Sequence, residues 1–215
     1  MAAEGLRLSP ELQRLDALIE ARERAHLSAR RALWSPEGTP RRDRDDGAGQ
    51  GSRPVNLSDA LLERAAEIRN AKGAVEAAEI CLRLAAAWAD AEAGSVLLVD
   101  GDDRLVFWAV QGGAGDVLLG QPVPRGSGLA WAAAEGGVTL FVQDVAVDPR
   151  HYAGTDRETG FHTESLLAIP LRTDAHLYGV LELINARNTG GFLPWQIDAV
   201  ESLAVSLTET LEGEA

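Results

Sequence analysis

The chain has 215 residues, 46% of them apolar and 25% charged, with a net charge of −13; these are the proportions of an ordinary soluble globular protein. No run approaches the ~18 uncharged apolar residues of a spanning helix, and the single cysteine, Cys81, excludes an internal disulfide and an all-cysteine metal site. Residues 58–215 hold ten basic residues against 24 acids, a surface that repels nucleic acid and anionic membrane, so neither is expected as a partner. The opening residues lack a basic stretch followed by an apolar core, and a cytoplasmic location is expected.

Residues 8–33 read as an amphipathic helix within an N-terminal segment, 1–34. Ser9 can cap it, Pro10 takes the first helical position, and Leu8, Leu12, Leu15, Leu18 and Ile19 make a narrow stripe. Such a stripe needs a partner to stay folded. Residues 35–57 read as a linker with almost nothing to bury, its arginines interleaved with aspartates. A domain is expected over 58–215. It opens with a helix from about Ser58 whose Leu61, Leu62, Ala65 and Ile68 recur at helical spacing, and which stops near Gly73. The next helix carries Val75, Ala78, Cys81, Leu82, Ala85, Ala86 and Trp88 on its apolar positions, with Cys81 as a buried small hydrophobe.

From Gly94 the period is that of strands. Ser95–Asp100, a Gly-Asp-Asp turn and Arg104–Val110 predict a hairpin. A weaker strand is expected over Val117–Val123, a short helix from Leu129 to Glu135, and a strand over Val138–Val142. The stretch 143–164 is irregular and long for a compact domain, which marks it as a binding loop or lid. A second hairpin follows, over 165–171 and 177–184, then an amphipathic helix from Pro194 to about Leu211. Consecutive hairpins predict an antiparallel sheet, hence an α+β class with helices on one face.

Catalytic signals are poor. Gly126-Ser127-Gly128 is too short for a dinucleotide fingerprint. His26, His151, His162 and His176 lack metal-ligand spacing, and no serine sits in a nucleophile elbow. No catalytic residue and no metal is expected, and the residues single out no cofactor. The better signal is a small-molecule pocket under the long loop, beside the N–H donors of the helix opening at Gly128. Ser95, Thr159, Thr163 and Glu182 would add polar groups to its wall, with Asp144 in the loop. Glu182 is one carboxylate in an otherwise apolar strand, sharing a face with Val180 and Ile184. A buried carboxylate needs a partner.

In order and spacing, several segments together resemble a GAF domain over about 61–212. They are Ser95–Asp100, Gly126–Ala130, Asp144–Arg150, Thr159–Leu167, and Gly179–Asn185 leading to Phe192. The resemblance implies a central antiparallel sheet of about six strands, N- and C-terminal helices on one face that pair two copies, and a pocket roofed by the long loop. It implies a sensor of small molecules or a dimerisation module rather than an enzyme. In cyclic-nucleotide-binding members, pocket residues fall at Ser95, Ala130, Thr159, Thr163 and Glu182, with Gln111 near an often acidic position. Those members also carry Asn-Lys, then Phe, then Asp-Glu; here Asn185 and Phe192 stand, but Ala186, Gln196 and Ile197 replace the charged residues. A haem-binding member would need His151 or His162 as its axial ligand.

The function expected is therefore a non-enzymatic regulatory module. It binds a small molecule of unknown identity under 143–164, pairs as a homodimer through its terminal helices, and signals to a protein effector in trans. The alternatives are an interaction scaffold with an unoccupied pocket and, further off, a cyclic-nucleotide or haem sensor.

Overall fold

The computed structural model describes residues 57–112, 115–151, 154, 156 and 160–214. The chain divides into two units, Met1–Gly51 and Ser52–Ala215, and all the described residues lie in the second. The expected helix over 8–33 lies outside them, as does the 35–57 linker apart from Leu57.

Two helices come first, α1 (Leu57–Arg69) and α2 (Ala74–Ala89). The spacing of Ala78, Cys81, Leu82, Ala85 and Ala89 turns one face of α2 inward, and all five are buried. Val75, counted among the apolar positions from sequence, is instead exposed. Asp90 ends the helix in a left-handed conformation (φ 50°), its N–H closing on the carbonyl of Ala86. The chain then enters β1 (Ala91–Val99) directly. The strand period was legible only from Gly94, because Ala-Glu-Ala has little strand propensity of its own. Pairing of Ala91 with Ala186 and of Ala93 with Ile184 extends the strand regardless.

The hairpin of β1 with β2 (Leu105–Gln111) is as expected. Asp100 fixes its turn, accepting from the N–H groups of Asp102 and Arg104 and from the Arg104 guanidinium. The strand expected over Val117–Val123 is mostly something else: a helical turn, α3 (Gly115–Leu118), then a two-residue strand, β3 (Pro122–Val123). Gly120 with φ 77° breaks the extended run, and Pro122 has no N–H to give a ladder, which restricts it to the edge. Helix α4 (Gly128–Gly136), β4 (Leu140–Val142) and a 3-10 turn (Val145–Val147) follow. The second hairpin is β5 (Leu166–Arg172) with β6 (Leu177–Ala186), and α5 (Pro194–Glu214) closes the fold.

All six strands form one antiparallel sheet in the order β3-β2-β1-β6-β5-β4. Helices α1, α2 and α5 cover one face, where Val96, Leu98, Ile169, Leu181 and Leu183 meet Cys81, Leu82, Leu203 and Leu207. The other face carries α4 and a second cluster, with Leu97, Phe107, Ala168 and Val180 under Leu129, Trp131 and Val145. At Gly179 the neighbouring backbone comes so close that a Cβ would lie 2.0 Å from the carbonyl oxygen of Leu97. Only glycine fits where β6 crosses β1 there.

Candidate functional site

The site lies on the face carrying α4, over the middle of β1 and β6. Strand alternation points Ser95 and Glu182 to that face, and the register sets them directly opposite each other. The Ser95 hydroxyl donates to Glu182 Oε2 at 3.3 Å. Both residues are deeply buried, with 3% and 8% of their surface exposed. No other hydrogen bond joins the Glu182 side chain to a described residue, and that side chain lines the space above the sheet. Burial pushes the Glu182 carboxyl up from 4.5 to about 7, while the Ser95 hydroxyl pulls in the opposite direction.

That space is a partly open chamber of about 90 Å3. Its floor is Ser95, Glu182 and Ile184; Phe107, Val110 and Val123 form one side; Gly128, Leu129 and Ala130 bring the start of α4 to another. Gly128 enters that helix at φ 82°, and Ser127 caps it without a side-chain bond. Gln111 is exposed and lies at the rim.

The loop between β4 and β5 forms the roof, supplying His151, Asp156, Phe161 and Thr163 to the chamber wall. Its two ends are fastened together, the N–H of Val145 donating to the carbonyl of Glu164 at 2.9 Å. Asp156 organises the interior, accepting from the N–H of Thr163 at 3.0 Å and from its hydroxyl at 2.8 Å. His151 Nε2 stands 3.8 Å from the same carboxylate. Beside it Asp148 accepts from the backbone and guanidinium of Arg150, and that guanidinium holds the Asp148 carboxyl down at about 2.

Of the residues singled out from sequence, Ser95, Gln111, Gly128, Ala130, Thr163 and Glu182 are brought together on the wall. Asp144 is not on it. Its carboxylate caps the 3-10 turn, accepting from the N–H of Ala146 at 3.1 Å. Thr159 lies outside the described residues. His162 is exposed and away from the wall, whereas His151 is on it.

Sequence reasoning missed the tether of the roof. Asn185, in a left-handed conformation at φ 56°, accepts from the N–H groups of Glu164 (2.8 Å) and Ser165 (3.2 Å). Its amide nitrogen donates to the carbonyl of His162 and to Glu92 Oε2, both at 2.9 Å. One side chain thus binds the end of the roof to the end of β6. Asn185 stood out in the sequence only as a residue of the family motif; its role as a tether is hinted at by an asparagine ending an apolar strand, a residue type that tolerates positive φ. Gln196, at one of the positions where a charged residue was absent, joins the start of α5 to the end of α2. Its Oε1 accepts from the N–H of Leu193, and its Nε2 donates to the carbonyl of Trp88.

A six-stranded antiparallel sheet with α1, α2 and α5 on one face and a roofed chamber on the other defines an α+β fold. The chain belongs to the GAF domain family, whose model matches residues 71–212; such domains are typically sensory or regulatory. The GAF domain of a phosphoenolpyruvate-protein phosphotransferase from Coxiella burnetii superposes with a TM-score of 0.67 at 20% identity, covering 75% of this chain and 96% of that one. Free methionine-R-sulfoxide reductase from Neisseria meningitidis, solved with its substrate, gives 0.60 at 22% identity, covering 73% and 88%. At these identities the likeness is one of fold. A dual 3',5'-cyclic-AMP and -GMP phosphodiesterase 11A from Takifugu rubripes is 36% identical over 69 residues, which span 32% of this chain and 8% of that enzyme.

Proposed function

We infer that this GAF domain is a non-enzymatic regulatory module that takes a small molecule in the chamber beneath 143–164 and passes its occupancy to the terminal helices. The observation that carries the reading is the convergence of polar side chains from two independent layers. His151, Asp156 and Thr163 come from the roof; Ser95 and Glu182 come from the sheet. A molecule that touches both layers binds the closed state more tightly than the open one and so shifts the population between them. The strands beneath it carry Val96, Leu181 and Leu183 on their reverse side, packed against the helical layer of α1, α2 and α5. That layer is the surface through which two copies would pair and act on an effector in trans. Gln111, Gly128 and Ala130 complete the ligand contacts, and Asp144 shapes the roof from outside.

The non-enzymatic reading is supported by the state of the one thiol. Cys81 is buried between α2 and α5 against the carbonyl of Leu203 (3.7 Å), and burial pushes it up to about 12, far from a nucleophilic thiolate. A cyclic-nucleotide ligand is disfavoured because Ala186, Gln196 and Ile197 stand where the cyclic-nucleotide-binding members carry charged residues. No described helix is long and apolar enough to cross a membrane, and a cytoplasmic place belongs to the same reading.

One observation favours the scaffold alternative: about 90 Å3 is small beside the ~300–1,000 Å3 of ordinary ligand pockets. Native mass spectrometry of the purified chain, with thermal unfolding across a metabolite library, separates the two. A ligand at ~100 times its Kd adds ~2.7 kcal/mol. A retained mass or a shift of that order is expected. Normal self-association with no shift from any compound would establish the scaffold instead.

A further inference from the structure

Among the described residues of the chamber wall, Glu182 of the floor and Asp156 of the roof carry carboxyls, His151 is the one basic side chain, and none is arginine or lysine. Glu182 is 8% exposed with a single neutral side-chain partner at 3.3 Å, and its Oε1 has no hydrogen bond to a described residue. A carboxyl so placed is costly to bury unless a donor, best a charged one, completes it. Phe107, Leu118, Val123, Phe161 and Ile184 give the wall an apolar part, beside the neutral polar side chains of Gln111, Ser127 and Thr163. An anion entering this space would meet two carboxyl groups with little water to screen them. Resting on the reading of the chamber as a ligand site, we propose that its occupant is a small organic ammonium ion, its nitrogen on Glu182 and facing Asp156, its short carbon body against Phe107 and Phe161.

Proton linkage sharpens the inference. The only titratable wall groups among the described residues are Glu182 from β6 and His151 and Asp156 from the roof; β1, β2, α3, β3 and α4 contribute none. Burial leaves the Glu182 carboxyl half-protonated near neutrality. An ammonium ion that donates to both oxygens displaces that proton, so binding releases a proton and strengthens as pH rises.

Isothermal titration of the full chain with three matched probes tests this: 3-methylbutylammonium, 3-methylbutan-1-ol and 3-methylbutanoate, each at pH 6 and pH 8. The ammonium probe alone should bind, about tenfold tighter at pH 8 than at pH 6, with proton release that differs between buffers of different ionisation enthalpy. Glu182→Gln, which keeps the shape and the Ser95 contact, should lose about tenfold or more in affinity at pH 8 and abolish most of the pH dependence. Asp156→Asn should weaken the probe less. Equal or tighter binding of the alcohol or the carboxylate overturns the inference while leaving the chamber a ligand site. Unchanged pH dependence in Glu182→Gln overturns the assignment of the proton to that residue. Failure of all three probes overturns the ammonium class, and the chamber reading falls with it only if the metabolite library is silent too.

Discussion

The two faces of the sheet are built from the same strands and solve opposite problems. Against α1, α2 and α5 every sheet residue in the core is apolar, and Val96, Ile169, Leu181 and Leu183 interlock with helix side chains. On the reverse side the same β1 and β6 present Ser95 and Glu182 to a space that side chains do not fill. One residue's step along a strand exchanges the two environments. Leu181 and Glu182 are sequence neighbours, one fully buried in hydrocarbon and the other a carboxyl facing a cavity. The contrast teaches that core packing and the chamber wall are assigned to alternate residues of one strand, so each can be altered without direct damage to the other.

The largest expected effect lies on the packed face. Leu181→Ala should cost about 3–4 kcal/mol in denaturant unfolding, the usual penalty for a cavity in a close-packed core, and should leave the chamber's wall chemistry intact. A loss under about 1 kcal/mol would mean that this face is looser than its burial implies.

The opposite face should respond with the opposite sign. The folded-state pKa of Glu182 is raised, so the native state binds a proton more tightly than the unfolded chain between pH 4.5 and about 7. Stability from this group is therefore present at low pH and is lost as pH rises through that window. Glu182→Gln should flatten the profile and stabilise the protein at pH 8 by roughly 2–3 kcal/mol, read from thermal unfolding over pH 5–8. A destabilised variant at pH 8 would show that Glu182 has a partner that stabilises its charged form.

A smaller effect is expected at the tether. Asn185→Ala removes four hydrogen bonds that join the end of the roof to β6 and Glu92. It should cost about 1–3 kcal/mol, because polar groups lose partners. Amide exchange at Glu164 and Ser165 should quicken while that of β1 stays slow. The smallest effect is at Cys81. With its thiol pushed up to about 12 by burial, labelling by a disulfide reagent at pH 8 should proceed only at the rate of global opening. Rapid labelling of the native chain would contradict the packing of α2 on α5.

Much of this was legible from residues alone, for stateable reasons. The hairpins and the second and last helices follow from the period of their apolar residues, which local chemistry and tertiary packing both support. Glu182 stood out because one charge in an apolar strand needs a partner, whether loop backbone that stiffens the fold or a ligand. The chamber wall was harder to read, since it depends on which loop residues turn inward. Asp144 and Thr163 are similar in sequence terms, yet the first turns back to cap its own 3-10 turn while the second faces the cavity. Asp156 accepts twice from Thr163, a contact between loop residues seven positions apart that no periodicity announces. Asn185 escaped because its role rests on a positive φ that nothing in its neighbours announces. The helical turn at Gly115–Leu118 was hidden by valines and leucines that read equally well as a strand.

The Val145–Glu164 bond has a consequence for how such a domain can change over time. Because the entry and exit of the loop are stitched to each other, the strand framework sees a fixed pair of endpoints whatever lies between them. Closing a longer stretch adds little entropy penalty, about 0.6 kcal/mol for each doubling of length. The stretch between the stitches can therefore be lengthened, trimmed or recoded with little disturbance to the scaffold, leaving the chamber's roof open to mutation while the architecture stays constant.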